Sequence, residues 1–171
     1  MRTALFLFAA LTETDIAWMA GAGTPRAFAA GTPLIRRGES LDGLLILLDG
    51  EVRIETADAV RIATRRAGEC LGEVSLVDTR PASTDVIAAG PVRALWLTGD
   101  ALRARLDKES GFAARFWRGL AILLANRLRE SASAVTGDAE ALDLDTTMLD
   151  GLARAGEKFR LLRDHFGDEP A

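Results

Sequence analysis

The segment Gly68–Val86, GECLGEVSLVDTRPASTDV, decides how the rest of the chain is read. Gly68 and Gly72 free the backbone for tight turns or for close approach of another group. Pro81 interrupts the run, and Ser83 and Thr84 follow it with small hydroxyls. Such a segment suits a pocket for a phosphorylated ligand, or only the framework of one.

On either side, from Gly23 to Thr98, short apolar runs alternate with Gly, Pro and Asp. Breaks at intervals of roughly eight to twelve residues are the pattern of an all-β sandwich or barrel. LLILLDGEVRIE reads as a hairpin, with Asp49-Gly50 as its turn and Val52 and Ile54 alternating beyond it. Thr32-Pro33 and Gly90-Pro91 mark further breaks.

The flanks carry a helical period. TALFLFAAL and TETDIAWMAGAG read as a helical hairpin, with Thr12 or Thr14 as an N-cap and Gly21 as a stop. Phe6, Leu7, Leu11, Ile16 and Met19 are its expected buried side. Beyond Thr98, DALRARLDKES is a short helix capped by Asp100, and Gly111–Val135 is a long one. Phe112, Phe116, Leu120, Leu123, Leu124 and Leu128 share one face of the long helix. Its arginines, Arg115, Arg118, Arg127 and Arg129, read as a solvated side with pairs such as Arg127 to Glu130. An acidic linker, TGDAEALDLDTT, leads to a last amphipathic piece, TMLDGLARAGEKFRLLRDHF.

Composition narrows the function. In 171 residues, 49% are hydrophobic, enough for one domain with a real core. The net charge of −4 argues against a general nucleic-acid binder, which needs a cationic face. One cysteine, Cys70, excludes a disulfide within the chain and fits a reducing, cytoplasmic setting. The apolar run near Arg2 is short and soon followed by acidic residues, so neither a signal peptide nor a membrane span is expected.

Taken in order, these elements resemble the cyclic-nucleotide-binding domain family over about residues 4–132. LIRRGESLDGLLILLDGEVRI is similar to the family's roll hairpin, with Gly38, Asp42, Gly50 and Glu51 in place. AGECLGEVSLVDTRPASTDV is similar to its phosphate-binding cassette. The resemblance implies a mainly β, α+β fold: a jelly-roll-like β-roll (double-stranded β-helix) with N-terminal helices, an inserted cassette helix and a long C-terminal helix. It divides the chain into a binding domain over 1–135 and an acidic linker with a helical tail over 136–171.

The resemblance also implies the site. In the family the Gly-Glu pair meets the ribose, an arginine after the cassette proline pairs with the cyclic phosphate, and small residues donate further hydrogen bonds. Leu71, Gly72, Glu73, Val74 and Ser75 stand at the first part of this cassette, Val74 and Ser75 opening its helix. Ser83 and Thr84 match the small residues. Ala82 stands where the family has its arginine, and Asp85 where a threonine or serine is usual. Arg80, on the other side of Pro81, is the candidate substitute, its alternative being solvent or a pair with Asp78. An Arg–phosphate contact contributes about 2–4 kcal/mol in a partly buried site, so its loss weakens binding on the order of a hundredfold. The ligand is left open between cyclic AMP or cyclic GMP, another small anion, and none.

Other chemistry is sparse. His165 is the single histidine, so a histidine metal cluster is excluded. Cys70 reads as a buried structural thiol, and the Glu69/Glu73 carboxylates do not resemble an acid–base dyad. Glu73 is expected to tie backbone N–H groups within the cassette. Trp18, Trp96 and Trp117 read as packing residues. No enzyme and no cofactor are expected. The residues after Thr136 hold no wing-like strands, so a DNA-reading module is not expected either. The partners expected are a cyclic nucleotide and a protein or second copy, docked through the 112–128 helix and the tail.

Overall fold

A computed structural model describes residues 5–78, 80–136 and 146–167. Two short helices, α1 (Leu5–Ala10) and α2 (Glu13–Ala22), precede the strands. Thr12 caps α2: its hydroxyl accepts the Asp15 N–H at 3.2 Å, and the Asp15 carboxylate accepts the Thr12 N–H at 2.9 Å. This reciprocal capping box satisfies two otherwise unpaired donors. All five residues expected on the buried side of this hairpin are buried.

Eight strands follow: β1 (Thr24–Phe28), β2 (Pro33–Ile35), β3 (Gly43–Asp49), β4 (Glu51–Glu55), β5 (Arg61–Arg66), β6 (Cys70–Leu71), β7 (Asp85–Ala88) and β8 (Val92–Thr98). They form two four-stranded antiparallel sheets, ordered β1-β8-β3-β6 and β2-β7-β4-β5. The expected α+β architecture of a β-roll flanked by helices is what the chain forms.

The expected hairpin at Asp49-Gly50 is corrected. β3 pairs with β8 and β6, whereas β4 pairs with β5 and β7, so the chain changes sheet at Gly50. Gly50 has φ of +87°, and a Cβ there would stand 2.4 Å from the Pro91 carbonyl oxygen. The true hairpin is β4–β5, closed by residues 56–60.

β3 explains why its sequence does not alternate in polarity. Leu45 and Leu47 join the cluster inside the roll, with Val52, Val86 and Ala94. Leu44, Ile46 and Leu48 join the other cluster, shared with the helices. A strand covered on both faces reads as a continuous apolar run.

The helical layer is built from α4 (Gly99–Lys108), α5 (Ser110–Thr136) and α6 (Thr146–His165) packed with α1 and α2. Thr98, not Asp100, caps α4: its hydroxyl accepts the Ala101 N–H at 3.2 Å. Asp100 instead pairs with Arg103 at 2.7 Å. On α5, Phe112, Phe116, Leu120 and Leu123 are buried within their own domain, but Leu128 is 72% exposed. The expected single apolar face therefore stops at Leu124, and most of it is unavailable to a second copy. Trp117 is 43% exposed, so it is not the pure packing residue expected.

The arginines of α5 are not all solvated. Arg115 grips the buried Asp15 carboxylate at 2.8 and 3.0 Å, and Arg105 of α4 approaches it at 3.4 Å. The Arg105 guanidinium also lies 4.6 Å from the ring centres of Trp18 and Phe112. Burial pushes the Asp15 carboxyl up, but the Arg115 and Thr12 hydrogen bonds and the Arg115 charge outweigh this and hold it at about 2.

The tail helix docks on α1. Phe8 and Phe159 have ring centres 5.9 Å apart, and Ala155, Phe159 and Leu162 are buried. The Lys158 ammonium donates to the carbonyls of Phe8 and Leu11 at 3.2 and 2.5 Å. A cation beside unpaired carbonyls at the end of α1 is favourable. Arg93 of β8 holds the far end of the tail through the Phe166 and Gly167 carbonyls. Of the sequence read as an acidic linker, residues 137–145 lie outside the described residues.

Candidate ligand-binding site

The cassette begins at the end of β6. Gly72 turns the chain there with φ of +88°, a conformation that favours glycine. A Cβ on Gly72 would meet the Leu41 side chain at 2.3 Å and the Gly43 carbonyl oxygen at 2.7 Å. The chain then enters the short helix α3 (Glu73–Asp78), which starts one residue earlier than expected. After Pro81, the backbone is held by two hydrogen bonds: Gly38 N–H to the Ala82 carbonyl at 2.8 Å, and Ala82 N–H to the Glu39 carbonyl at 2.9 Å.

These elements enclose a cavity of about 320 Å³. All nine expected site residues, Leu71, Gly72, Glu73, Val74, Ser75, Arg80, Ala82, Ser83 and Thr84, line it. The roll contributes Ile35, Ile54 and Val86 to its apolar floor, and Leu41 closes one side. The volume falls at the lower end of the ~300–1,000 Å³ common for small-molecule sites.

Glu73 is buried, and it is not occupied as expected. Its Oε1 accepts from Nη1 of Arg127, which reaches down from α5. The Arg127 Nη2 donates to the Cys70 carbonyl at 2.6 Å. Its Nε is buried without a hydrogen-bond partner among the described residues. With side-chain exposures of 13% and 7%, Arg127 and Glu73 form a buried ion pair on the cavity wall. Such a pair is costly to break, because the surviving charge is stranded away from water.

The reading of Arg127 as a surface residue paired with Glu130 is therefore corrected. A signal was available: Arg127 stands four residues after Leu123 and seven after Leu120, on the buried stripe of α5. A charge on such a stripe requires a buried partner.

Arg80 lines the cavity, but its side chain is 83% exposed and lies 3.7 Å from the Asp78 carboxylate. Its own N–H also donates to Asp78 at 3.1 Å. The pairing alternative is thus the one the structure contains. Asp85 faces away from the cavity, where its carboxylate accepts the Arg37 N–H at 2.9 Å. Asp85 therefore brings no like charge to the cavity lining. Ser75 Oγ donates weakly to the Arg80 carbonyl at 3.5 Å.

Cys70 is fully buried behind this wall, and burial pushes its thiol up to about 12. A thiol in that range is not a nucleophile near neutral pH. Among the described residues, no group of His, Cys, Asp and Glu could hold a metal ion, and no helix is long and apolar enough to cross a membrane.

Comparison with known proteins agrees with this geometry. The family model for the cyclic nucleotide-binding domain matches residues 25–109. Glutaminase 2 of Bradyrhizobium diazoefficiens is 34% identical over 124 residues, and glutaminase 1 of the same organism is 30% identical over 122. Each match takes in 71% of this chain but only 19% and 20% of the two enzymes, so the chain spans about a fifth of the curated relatives it matches. A solved cyclic nucleotide-binding domain from Methylobacillus flagellatus superposes with a TM-score of 0.69 at 26% identity, covering 77% of each chain. The N-terminal domain of a transcriptional regulator from Streptomyces coelicolor gives 0.62 at 27% identity, covering 75% of this chain and 92% of that one. The catabolite activator protein of Thermus thermophilus gives 0.65 at 25%, covering 77% and 62%. With its β-roll, its cassette and the match over residues 25–109, the chain belongs to the cyclic nucleotide-binding domain family.

Proposed function

We propose that this domain is a regulatory, non-enzymatic module that captures a small anionic ligand in the cassette cavity, with cyclic AMP or cyclic GMP the leading class, and signals through α5. The observation that carries the reading is the Glu73–Arg127 pair on the cavity wall. Ala82 removes the cation the family places after the proline, and Arg127 brings another to the same cavity from a different element. An anion that draws on Arg127 competes with Glu73 for it. Ligand capture then alters the bond that ties α3 to α5, which links occupancy to the long helix.

The similarity to one-fifth of two glutaminases supports a module that acts on a catalytic partner. The free thiol of Cys70 fits a cytoplasmic setting.

A second reading has its own observation. Trp117 and Leu128 are both exposed on α5 and stand about three turns apart, hence on one side of the helix. That side suits a homodimer or a protein partner, with the roll as a rigid body.

One experiment separates the two. A ligand at a hundred times its Kd adds about 2.7 kcal/mol of stability. At about 2–4 °C per kcal/mol for a chain of this size, this is a melting shift of roughly 5–10 °C. A panel of cyclic AMP, cyclic GMP and cyclic dinucleotides should produce such a shift for at least one member. Ala82→Arg should then raise affinity for a cyclic mononucleotide at least tenfold. No shift with any member, with either protein, would transfer the argument to the second reading.

A further inference from the structure

A second cavity, of about 270 Å³, lies on the opposite side of the cassette helix, between α3, residues 40–42, α4 and α5. Its walls are chiefly apolar, with Leu41, Leu76, Leu106 and Trp117 among the residues lining it. Trp117 leaves 43% of its surface open, in a T-shaped contact with Phe116 at 5.4 Å. Exposed indole beside a concave apolar wall is costly in water and favourable against a flat apolar ligand.

Two cations stand at the rim, and they differ in how they are engaged. Arg103 is committed: it pairs with both oxygens of Asp42 at 2.7 and 2.9 Å and with Asp100 at 2.7 Å. Among the described residues, the Arg80 side chain meets the Asp78 carboxylate at 3.7 Å and is largely exposed. Its guanidinium, loosely paired at that distance, can exchange Asp78 for the charge-assisted, two-point contact that a carboxylate accepts.

From this arrangement we infer a second binding site, adjoining the cassette cavity and sharing Leu41, Ser75 and Arg80 with it, for a small aromatic carboxylate. The ring system packs on Trp117, Leu76 and Leu106, and the carboxylate meets Arg80. The volume lies just below the ~300–1,000 Å³ usual for drug-sized ligands, which limits the occupant to one or two rings. Apolar walls disfavour a sugar phosphate there, because its hydroxyls would lose water without gaining partners. An occupant braces α3 against α4 and α5, and α3 and α5 are also joined by the Glu73–Arg127 pair.

The test uses 2-naphthoate and its neutral counterpart 2-naphthalenemethanol, added to the full chain labelled with nitrogen-15. Naphthoate should shift the Trp117 indole N–H signal saturably, while the backbone signals of Ser83 and Thr84 in the cassette cavity move little. Arg80→Ala, an exposed position that leaves the core untouched, should weaken naphthoate at least tenfold and leave the alcohol unchanged. Leu106→Trp should fill the cavity and abolish both. The inference is overturned by an unmoved Trp117 signal at millimolar naphthoate, or by larger shifts at Ser83 and Thr84 than at Trp117. Equal affinity of acid and alcohol for the unsubstituted protein overturns it too. Cyclic nucleotide binding in the first cavity is read from the Ser83 and Thr84 signals, so failure of one site is distinguishable from failure of the other.

Discussion

Arg127→Met removes a guanidinium that is 13% exposed and leaves the Glu73 carboxylate, 7% exposed, without its cation. Breaking a buried pair from one side costs about 3–5 kcal/mol, because the remaining charge keeps its desolvation penalty and loses its attraction. The variant also strands the Cys70 carbonyl, which accepts from Arg127 at 2.6 Å. At about 2–4 °C per kcal/mol, the melting temperature should fall by roughly 6–20 °C. Glu73→Gln should cost about 2–3 kcal/mol, since the amide keeps a hydrogen-bond acceptor for Arg127 but not the charge. In the double variant neither member of the pair is charged, so its cost should fall below the sum of the two single costs by at least ~2 kcal/mol. Arg118→Met, on the exposed side of α5, is the control and should stay within about 0.5 kcal/mol. Urea unfolding of the four proteins and the parent measures the cycle. Additive single costs, or an Arg127→Met protein as stable as the control, would refute the claim that this pair joins the cassette to α5.

Three further outcomes follow from other parts of the molecule. The folded-state value of about 2 for Asp15 lies below its ordinary value of 3.8, so its stabilising contribution of about 2 kcal/mol is present above pH ~4 and disappears as pH falls toward 2; urea midpoints across that window should drop more steeply for the parent than for Asp15→Asn. Gly72→Ala, with a left-handed φ and Cβ contacts of 2.3 and 2.7 Å, should cost at least ~2 kcal/mol in the same assay. Cys70 should resist iodoacetamide at pH 8 in the folded protein and react promptly in urea, as mass spectrometry can follow.

Much of this fold is legible in the sequence, because its punctuation is local. Gly72 and Pro81 each impose a backbone constraint that neighbouring residues cannot override, and together they set the bounds of the cassette. The nine candidate residues come together for the same reason: a short segment places them, and they line one cavity. What escapes sequence reading depends on distant pairing. Asp49-Gly50 has the composition of a hairpin turn, and only the partners of β3 and β4 reveal a change of sheet. The direction of Asp85 depends on the Arg37 N–H, 48 residues away. Arg127 meets Glu73 across 54 residues, and the arginine pattern of α5 conceals that one of its members sits on the buried stripe. The tail helix is legible as amphipathic, but its seat on α1 rests on Phe8 and Lys158, at opposite ends of the chain.

The central claim is that the cassette cavity takes its anion through Arg127. Titration calorimetry of cyclic AMP and cyclic GMP against the parent, Arg127→Met and Arg118→Met, below the melting range of all three, measures it directly. The account predicts saturable one-to-one binding of at least one nucleotide, weakened tenfold or more in Arg127→Met and unchanged in Arg118→Met. Binding that survives intact without the Arg127 guanidinium, or no heat from either nucleotide with any of the proteins, would contradict it.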